Sequence, residues 1–367
     1  MENDTVLWSI NPNFIANGSS LIFPVWFEKI LVPSLLVAIC IGGIIANGIV
    51  LFVLLRCSET KTAPDVYILN LTSADLLFMF GIPFAAYSQA YGRYWPLGEA
   101  MCKIIYGLDG MNQYTGIFIL TAMSVDRYLA VVHAIWSMKY RTVKVAKIVC
   151  FVIWLVSLLL SLPILVYSRI GPNGYGLMTC YISWGEHGDP YVIGAFVVGF
   201  AGPLSVISIC YAQILIFLAK GARPGSNRKQ KKKLGRVGLI VILAVALFTI
   251  CWSPFWATQL ALISPTYNIT KAYTYVWSLA ICFQYLNSAL NPLVYTCVRA
   301  DFRQNLTRIC CGKKYAEASK ERRLSKMLTT RTGYSKGNNH CSQTMYQMDD
   351  TGKTTTTIVN LNSSSQL

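Results

Sequence analysis
The sequence predicts an all-α membrane protein: a bundle of seven transmembrane helices followed by a short amphipathic helix on the cytosolic side. Three observations carry that prediction. Of 367 residues, 54% are hydrophobic and 13% charged, whereas a soluble domain carries roughly a quarter charged residues. The apolar residues gather in runs close to the ~20 residues that take a helix across the hydrocarbon, and these runs are apolar almost all round rather than striped. Lys and Arg crowd into alternate connecting segments, the bias that orients a multi-spanning chain.

The runs lie at 29–56, 66–91, 99–132, 145–167, 189–220, 233–263 and 271–297. They divide the chain into an extracellular N-terminal tail (1–28), the helical domain with its amphipathic helix (29–311) and a disordered cytosolic tail (312–367). The opening "MENDTVLWSI" has no basic n-region and no early apolar stretch. No cleavable signal is expected, and the first run acts as the insertion signal. Segments after the first, third, fifth and seventh runs, counted with the run ends that border them, hold 27 of the 32 Lys and Arg, and all others hold 5. The C-terminus is therefore expected in the cytosol, and an odd number of crossings puts the N-terminus outside. The formal charge of +16 then concerns lipid. "RKQKKK" (228–233) abuts the sixth run, where it anchors at anionic headgroups, so nucleic acid is not expected as a partner.

Covalent marks follow the same topology. Sequons at Asn3, Asn17 and Asn268 fall outside, and Asn3 and Asn17 are the expected glycosylation sites. Most of the twelve cysteines sit in apolar runs and pack as small hydrophobes. Cys102 and Cys180 stand on the oxidising side, where a disulfide between them is expected. Cys310 and Cys311 follow the amphipathic stretch and are expected to be palmitoylated; two reduced surface thiols are the alternative.

Ionisable residues inside a span are rare and mark function. Deep in this bundle two stand out, Asp75 and Asp109, while Asp126 and Arg127 lie at the cytosolic rim. Asp109 and Asp126 are separated by 17 residues, roughly 25 Å of helix. One carboxylate is placed for an external partner and the other for the cytosol. Two readings of Asp109 stand: a structural bond to Tyr285 in the seventh run, or a site for an external ammonium or guanidinium. No basic residue occupies mid-span to pair with it, which favours the ligand. Gln113 shares its face one turn along and adds hydrogen-bonding capacity.

Asp75 keeps the company of Asn47, Asn112, Asn287, Ser288 and Asn291. Burying so many polar groups is costly unless they share partners. A polar core with water or a small cation is expected, and plain interhelical hydrogen bonding is the alternative. Pro254 in "CWSPF", Pro292 in "NPLVY" and Pro203 in the fifth run kink their helices, which suits a conformational switch with Trp252 projecting below the cavity of Asp109.

In this order the motifs resemble the rhodopsin-like (class A) G-protein-coupled receptors over roughly residues 28–311. They are Asn47, "NLTSAD" with Asp75, Cys102 with Cys180, "DRY" (126–128), Trp154, Pro203 with Tyr211, "FTICWSP" (248–254), and "NPLVY" followed by "DF" (301–302). Within that family "VYILNLTSADLLFMFGIPF", "DGMNQYTGIF", "VDRYLAVVH" and "LPILVYSR" are most similar to somatostatin and arthropod allatostatin-C receptors, with opioid receptors as near kin. The resemblance implies a peptide ligand whose basic side chain pairs with Asp109. It implies pocket positions at Gln113, Phe255, Gln259 and Tyr285, with Trp252 beneath them. It also implies a switch made of Asp126, Arg127, Tyr128, Tyr211, Phe248, Trp252, Pro254, Asn291, Pro292 and Tyr295, coupled to inhibitory Gi/o proteins that lower cyclic AMP.

Three departures qualify the match. Gly116 stands where the family usually has Ser, which removes an oxygen ligand and argues against sodium as an allosteric modulator at Asp75. Ala134 replaces the usual Pro, so coupling strength is expected to differ. Trp256 replaces the pocket His of opioid receptors, which argues against an opioid ligand. A biogenic amine would need hydroxyls on the outer half of the fifth run, and "VIGAFVVGFAGP" (192–203) offers none. An opsin would need a lysine where Tyr285 stands, and a transporter would show internal repeats. No nucleophile triad, metal cluster or phosphate loop marks an enzyme. The Ser/Thr-rich tail is expected to be disordered, to bind arrestin once phosphorylated, and to present "SQL" to a PDZ-domain edge.

Overall fold
The computed structural model describes residues 26–56, 62–172, 176–184, 188–219, 228–263, 271–298, 342–348 and 354–360. Seven long helices account for most of them. They are α1 (Phe27–Arg56) and α2 (Ala63–Ala90), α3 (Gly98–Val131) and α4 (Val143–Tyr167). Next come α5 (Gly188–Phe196, Val197–Ala201 and Gly202–Ala219), α6 (Arg228–Ile263) and α7 (Lys271–Val298). A single turn, Ala134–Ser137, links α3 to α4. Strands β1 (Ser168–Pro172) and β2 (Met178–Ile182) pair antiparallel between α4 and α5.

Local chemistry sets the helix ends. Thr62 and Asp65 form a capping box that opens α2, each satisfying a donor the first turn leaves open. Thr142 caps α4 by accepting from Val145 N–H at 3.3 Å. α6 begins five residues before the predicted run, because the basic "RKQKKK" is itself helical. Pro163, Pro254 and Pro292 sit inside α4, α6 and α7. In α5 the turn Val197–Ala201 is π-wound and ends just before Pro203.

Each helix in the ring meets its neighbours. α1 packs on α2 and α7, α2 on α3 and α4, α5 on α3 and α6, and α6 on α7. α3 lies at the centre and touches α2, α4, α5 and α6. The α3–α4 approach depends on Gly107 and Gly110, where an added Cβ would run into Leu165 and Ile164.

Among the described residues, five helices are long and apolar enough to cross a membrane: α1, α2, α4, α5 and the Ile242–Ile263 part of α6. α3 and α7 are long enough, at 34 and 28 residues, but more polar. Their neighbours shield them, so they need not be apolar all round. The bundle is apolar on the outside as well as within: Phe151 is 70% exposed and Ile250 64%. Such a surface belongs against lipid.

Residues 308–367 form a separate unit. Within 312–367, expected from its polarity to be disordered, β3 (Ser342–Met348) pairs antiparallel with β4 (Thr354–Asn360). The β-branched run "TTTTIV" supplies the strand propensity that a reading on polarity alone passes over. Asn3, Asn17, Cys310, Cys311, the side chain of Tyr295 and the amphipathic segment after α7 lie outside the described residues.

Candidate functional site
Asp109 is buried on α3, 7% exposed. Its Oδ2 accepts a hydrogen bond from Tyr285 Oη of α7 at 3.2 Å, and Tyr285 in turn stacks on Phe78 at 4.7 Å. Its Oδ1 has no hydrogen-bond partner among the described residues. Among those residues no lysine, arginine or histidine forms an ion pair with it. Gly81, at the bend of α2, lies beside this oxygen, and a Cβ there would make ordinary contact with Oδ1 at 3.7 Å. The structural reading of Asp109, a bond to Tyr285, is thus seen, and the second oxygen has no partner among the described residues.

Other unpartnered polar groups accompany it. Gln113 of α3 and Gln259 of α6 are each 1% exposed. Gln113 Nε2 and both amide atoms of Gln259 have no hydrogen-bond partner among the described residues, and neither do the indole nitrogens of Trp252 and Trp256. Aromatic rings surround these groups. Trp252 stacks on Phe248 at 5.6 Å and meets Phe255 edge-on at 5.7 Å. Phe255 meets Trp256 at 5.4 Å, and Trp256 meets Phe196 of α5, also at 5.4 Å. A buried carboxylate oxygen and an aromatic π-face each attract a cation. The disulfide Cys102–Cys180 ties the start of α3 to β2, and Tyr106 Oη reinforces the tie by donating to Cys180 O at 3.0 Å.

Deeper in the bundle Asn291 Nδ2 donates to Asp75 Oδ2 at 2.9 Å, and Asn112 Nδ2 donates to Ser288 Oγ at 3.1 Å. Asn47 Nδ2 donates to the Ser288 carbonyl at 3.0 Å. The Oδ1 atoms of Asn47, Asn112, Asn287 and Asn291 and the hydroxyls of Thr72 and Thr115 have no hydrogen-bond partner among the described residues. Oxygens of this kind are what a hard cation takes, but Gly116 contributes none.

At the far end of α3, Asp126 and Arg127 are buried and approach to 3.4 Å. Tyr128 Oη and His133 Nε2 share a hydrogen bond of 3.1 Å. Tyr211 is half-buried against the core, and Phe248 is fully buried.

The model of the seven-transmembrane receptors of the rhodopsin family matches residues 46–295. The chain belongs to this family. The receptor is 40% identical over 278 residues to somatostatin receptor type 2 of Mus musculus, covering 74% of this chain and 75% of that one. Somatostatin receptor type 5 of Rattus norvegicus is 38% identical over 317 residues, covering 85% and 86%. Somatostatin receptor type 3 of Homo sapiens is 36% identical over 288 residues, covering 76% and 68%. The receptor is thus a class A G-protein-coupled receptor, a membrane protein of a class that is not enzymatic.

Sequence reasoning missed several residues of the receptor. Trp154 was legible from its motif, but its partner was not: its indole N–H donates to Asn70 Oδ1 of α2 at 3.0 Å. Arg141, in the segment before α4, donates to both oxygens of Asp126 at 2.9 Å. Nothing in the local pattern signals that pairing, because fifteen residues and a turn separate the two.

Proposed function
We propose that the receptor binds an extracellular peptide of somatostatin or allatostatin-C type and signals through inhibitory Gi/o proteins to lower cyclic AMP. The N-terminus lies outside and the C-terminus in the cytosol, as the distribution of Lys and Arg supports. One observation carries the recognition step. Asp109 is buried and, among the described residues, holds one oxygen without a partner and forms no ion pair. A lysine or arginine of the ligand pairs with that oxygen, while Gln113 and Gln259 bond its polar groups. Its apolar neighbours pack on Phe255, Trp252 and Tyr285. The names of the relatives support the peptide class.

The ligand favours the state open to the cytosol and shifts a pre-existing equilibrium towards it. α6 swings about Pro254, where the proline leaves a backbone carbonyl unbonded and the helix bends most easily. Phe248 and Trp252, stacked on α6, move with it. Arg127 leaves Asp126 for the G protein, and Tyr211 and Tyr295 support the open form, with Tyr128 beside Arg127 and the hinge at Asn291–Pro292 completing the switch. Asp75, Asn112, Asn287, Ser288 and Asn291 form the polar core, and Gly116 leaves it without the serine oxygen that a sodium ion would take. The phosphorylated tail recruits arrestin, "SQL" meets a PDZ domain, and Cys310 and Cys311 carry palmitate.

The test is a panel of somatostatin-like and allatostatin-C-like peptides, with opioid peptides and amines as comparators. G-protein dissociation is read in cells expressing the wild type and Asp109→Asn. A peptide that activates the wild type and fails on the variant at equal surface expression supports the reading. Equal dose–response curves refute the ion pair, and activation by amines alone refutes the peptide class.

A further inference from the structure
The turn that leads into α4 exposes large aromatic side chains where a connecting segment is ordinarily polar. Trp136 is 63% exposed and Tyr140 46%, and their rings meet at 5.0 Å. The backbone that carries them is nevertheless fixed. Ser137 is fully buried, and its Oγ donates to the Leu129 carbonyl of α3 at 3.1 Å. Its own carbonyl accepts the N–H of Tyr140 at 3.0 Å and of Arg141 at 2.9 Å. The two rings are therefore presented outward by a held turn. At the end of a membrane span such amphipathic rings belong at headgroup level.

Cations gather beside the rings. Lys139, Lys144 and Lys147 are exposed, and among the described residues none of them forms an ion pair. No Asp or Glu occurs from residue 127 to residue 185, so no acid nearby in the chain offsets them. Lys139 Nζ lies over the Tyr140 ring, 5.8 Å from its centroid. Arg141 is committed elsewhere, since it forks onto both oxygens of Asp126. On α4 the i,i+3 and i,i+4 spacing places Lys144 and Lys147 at the head of the row Ile148, Phe151 and Leu155. That row is 54%, 70% and 48% exposed, part of the apolar outer wall that lipid covers. An acyl chain lying along it ends at the two lysines.

We propose that this end of α4 is a binding site for an anionic phospholipid of the cytosolic leaflet. The headgroup is held by Lys144 and Lys147, and Lys139 adds a third charge from the turn. Trp136 and Tyr140 lie level with the glycerol, and one acyl chain follows Ile148, Phe151 and Leu155. Charge complementarity selects the headgroup, and continuity with the lipid-facing wall of α4 selects a lipid over a soluble anion. The choice of leaflet rests on the orientation proposed above, which puts this end of α4 in the cytosol, where anionic lipids concentrate.

The experiment places the full-length receptor in phosphatidylcholine nanodiscs doped with a lipid brominated on its acyl chains, either phosphatidylserine or phosphatidylcholine. Bromine quenches tryptophan only at short range, and the difference between the wild type and Trp136→Phe isolates the signal of Trp136. Brominated phosphatidylserine is expected to quench Trp136 at a lower mole fraction than brominated phosphatidylcholine. Lys144→Gln and Lys147→Gln should each raise the phosphatidylserine fraction needed for half-quenching roughly fivefold, the worth of one basic residue at an anionic surface. Lys144→Arg keeps the charge and should leave that fraction unchanged.

Equal quenching by the two lipids overturns the headgroup site, as does a preference for phosphatidylserine that survives in the double variant Lys144→Gln/Lys147→Gln. Should thermal unfolding show the double variant to be unfolded, Lys144→Gln alone decides: an unchanged half-quenching fraction overturns the proposal, and a raised one supports it. Trp136 unquenched by either lipid overturns the placement of the turn in the membrane and leaves this face to a cytosolic protein. Nanodiscs offer the same lipid on both faces, so these results do not depend on orientation. Orientation is read separately, with an antibody to an N-terminal epitope on intact cells. Failure of that antibody to bind cells that it binds once permeabilised overturns the orientation and the choice of leaflet.

Discussion
Replacing Asp109 by Asn removes the charge and almost nothing else. The amide keeps an oxygen for Tyr285 Oη, now 3.2 Å from Oδ2, and its nitrogen takes the place of the unpartnered Oδ1. Shape and the tie to α7 survive, so surface expression is expected to hold. What disappears is the ion pair with the ligand. Breaking one side of a buried, hydrogen-bonded charge pair costs 2–5 kcal/mol. The amide still offers the ligand a polar contact, which puts the loss near the lower part of that range. About 3 kcal/mol corresponds to roughly a hundredfold weaker binding. The assay is competition binding of an activating peptide to membranes carrying wild type and variant, repeated with norleucine in place of the peptide's lysine. If the pair is real, the two losses do not add: the variant discriminates little between lysine and norleucine. A shift below threefold at matched expression, or losses that simply sum, would refute the reasoning.

Further outcomes follow from packing and hydrogen bonds. Gly116→Ser is expected to express normally, since a Cβ there meets only Leu71 at 3.9 Å. The added hydroxyl should make agonist affinity fall with sodium at constant ionic strength, read by binding in sodium against choline chloride. Gly110→Ala should destabilise the detergent-solubilised receptor by about 1–3 kcal/mol through overpacking against α4. Thermal unfolding checks this, and Ile164→Ala in the same chain should recover part of the loss. Trp154→Phe strands Asn70 Oδ1, bonded at 3.0 Å in the wild type, and should lower stability by about 1 kcal/mol by the same measurement, with peptide affinity unchanged.

The helices were legible because each apolar run ends where charge or a cap begins. The third run, read as 99–132, is Gly98–Val131, and the fourth, read as 145–167, is Val143–Tyr167. α6 was read short because its first turns are basic, and Lys and Arg form helix nearly as well as apolar residues do. Asp109 stood out because a carboxylate within a membrane span is rare and costly. The partners across the bundle were not legible. The resemblance implied a pocket position for Gln259, but only the packing shows both its amide atoms without partners among the described residues. Arg141 reads as an ordinary basic loop residue, and its fork on Asp126 arises because the turn after α3 folds the chain back.

The π-wound turn at Val197–Ala201 governs which residues of α5 face the site. It inserts one residue into the helix, and each residue of an α-helix rotates the chain by about 100°. Deleting a single residue there would wind the outer half of α5 round by that angle and carry Phe196 off Trp256. Chimaeras that splice the fifth helix of a relative into this receptor must therefore join outside 197–201, or the transplanted wall will arrive turned away from its ligand.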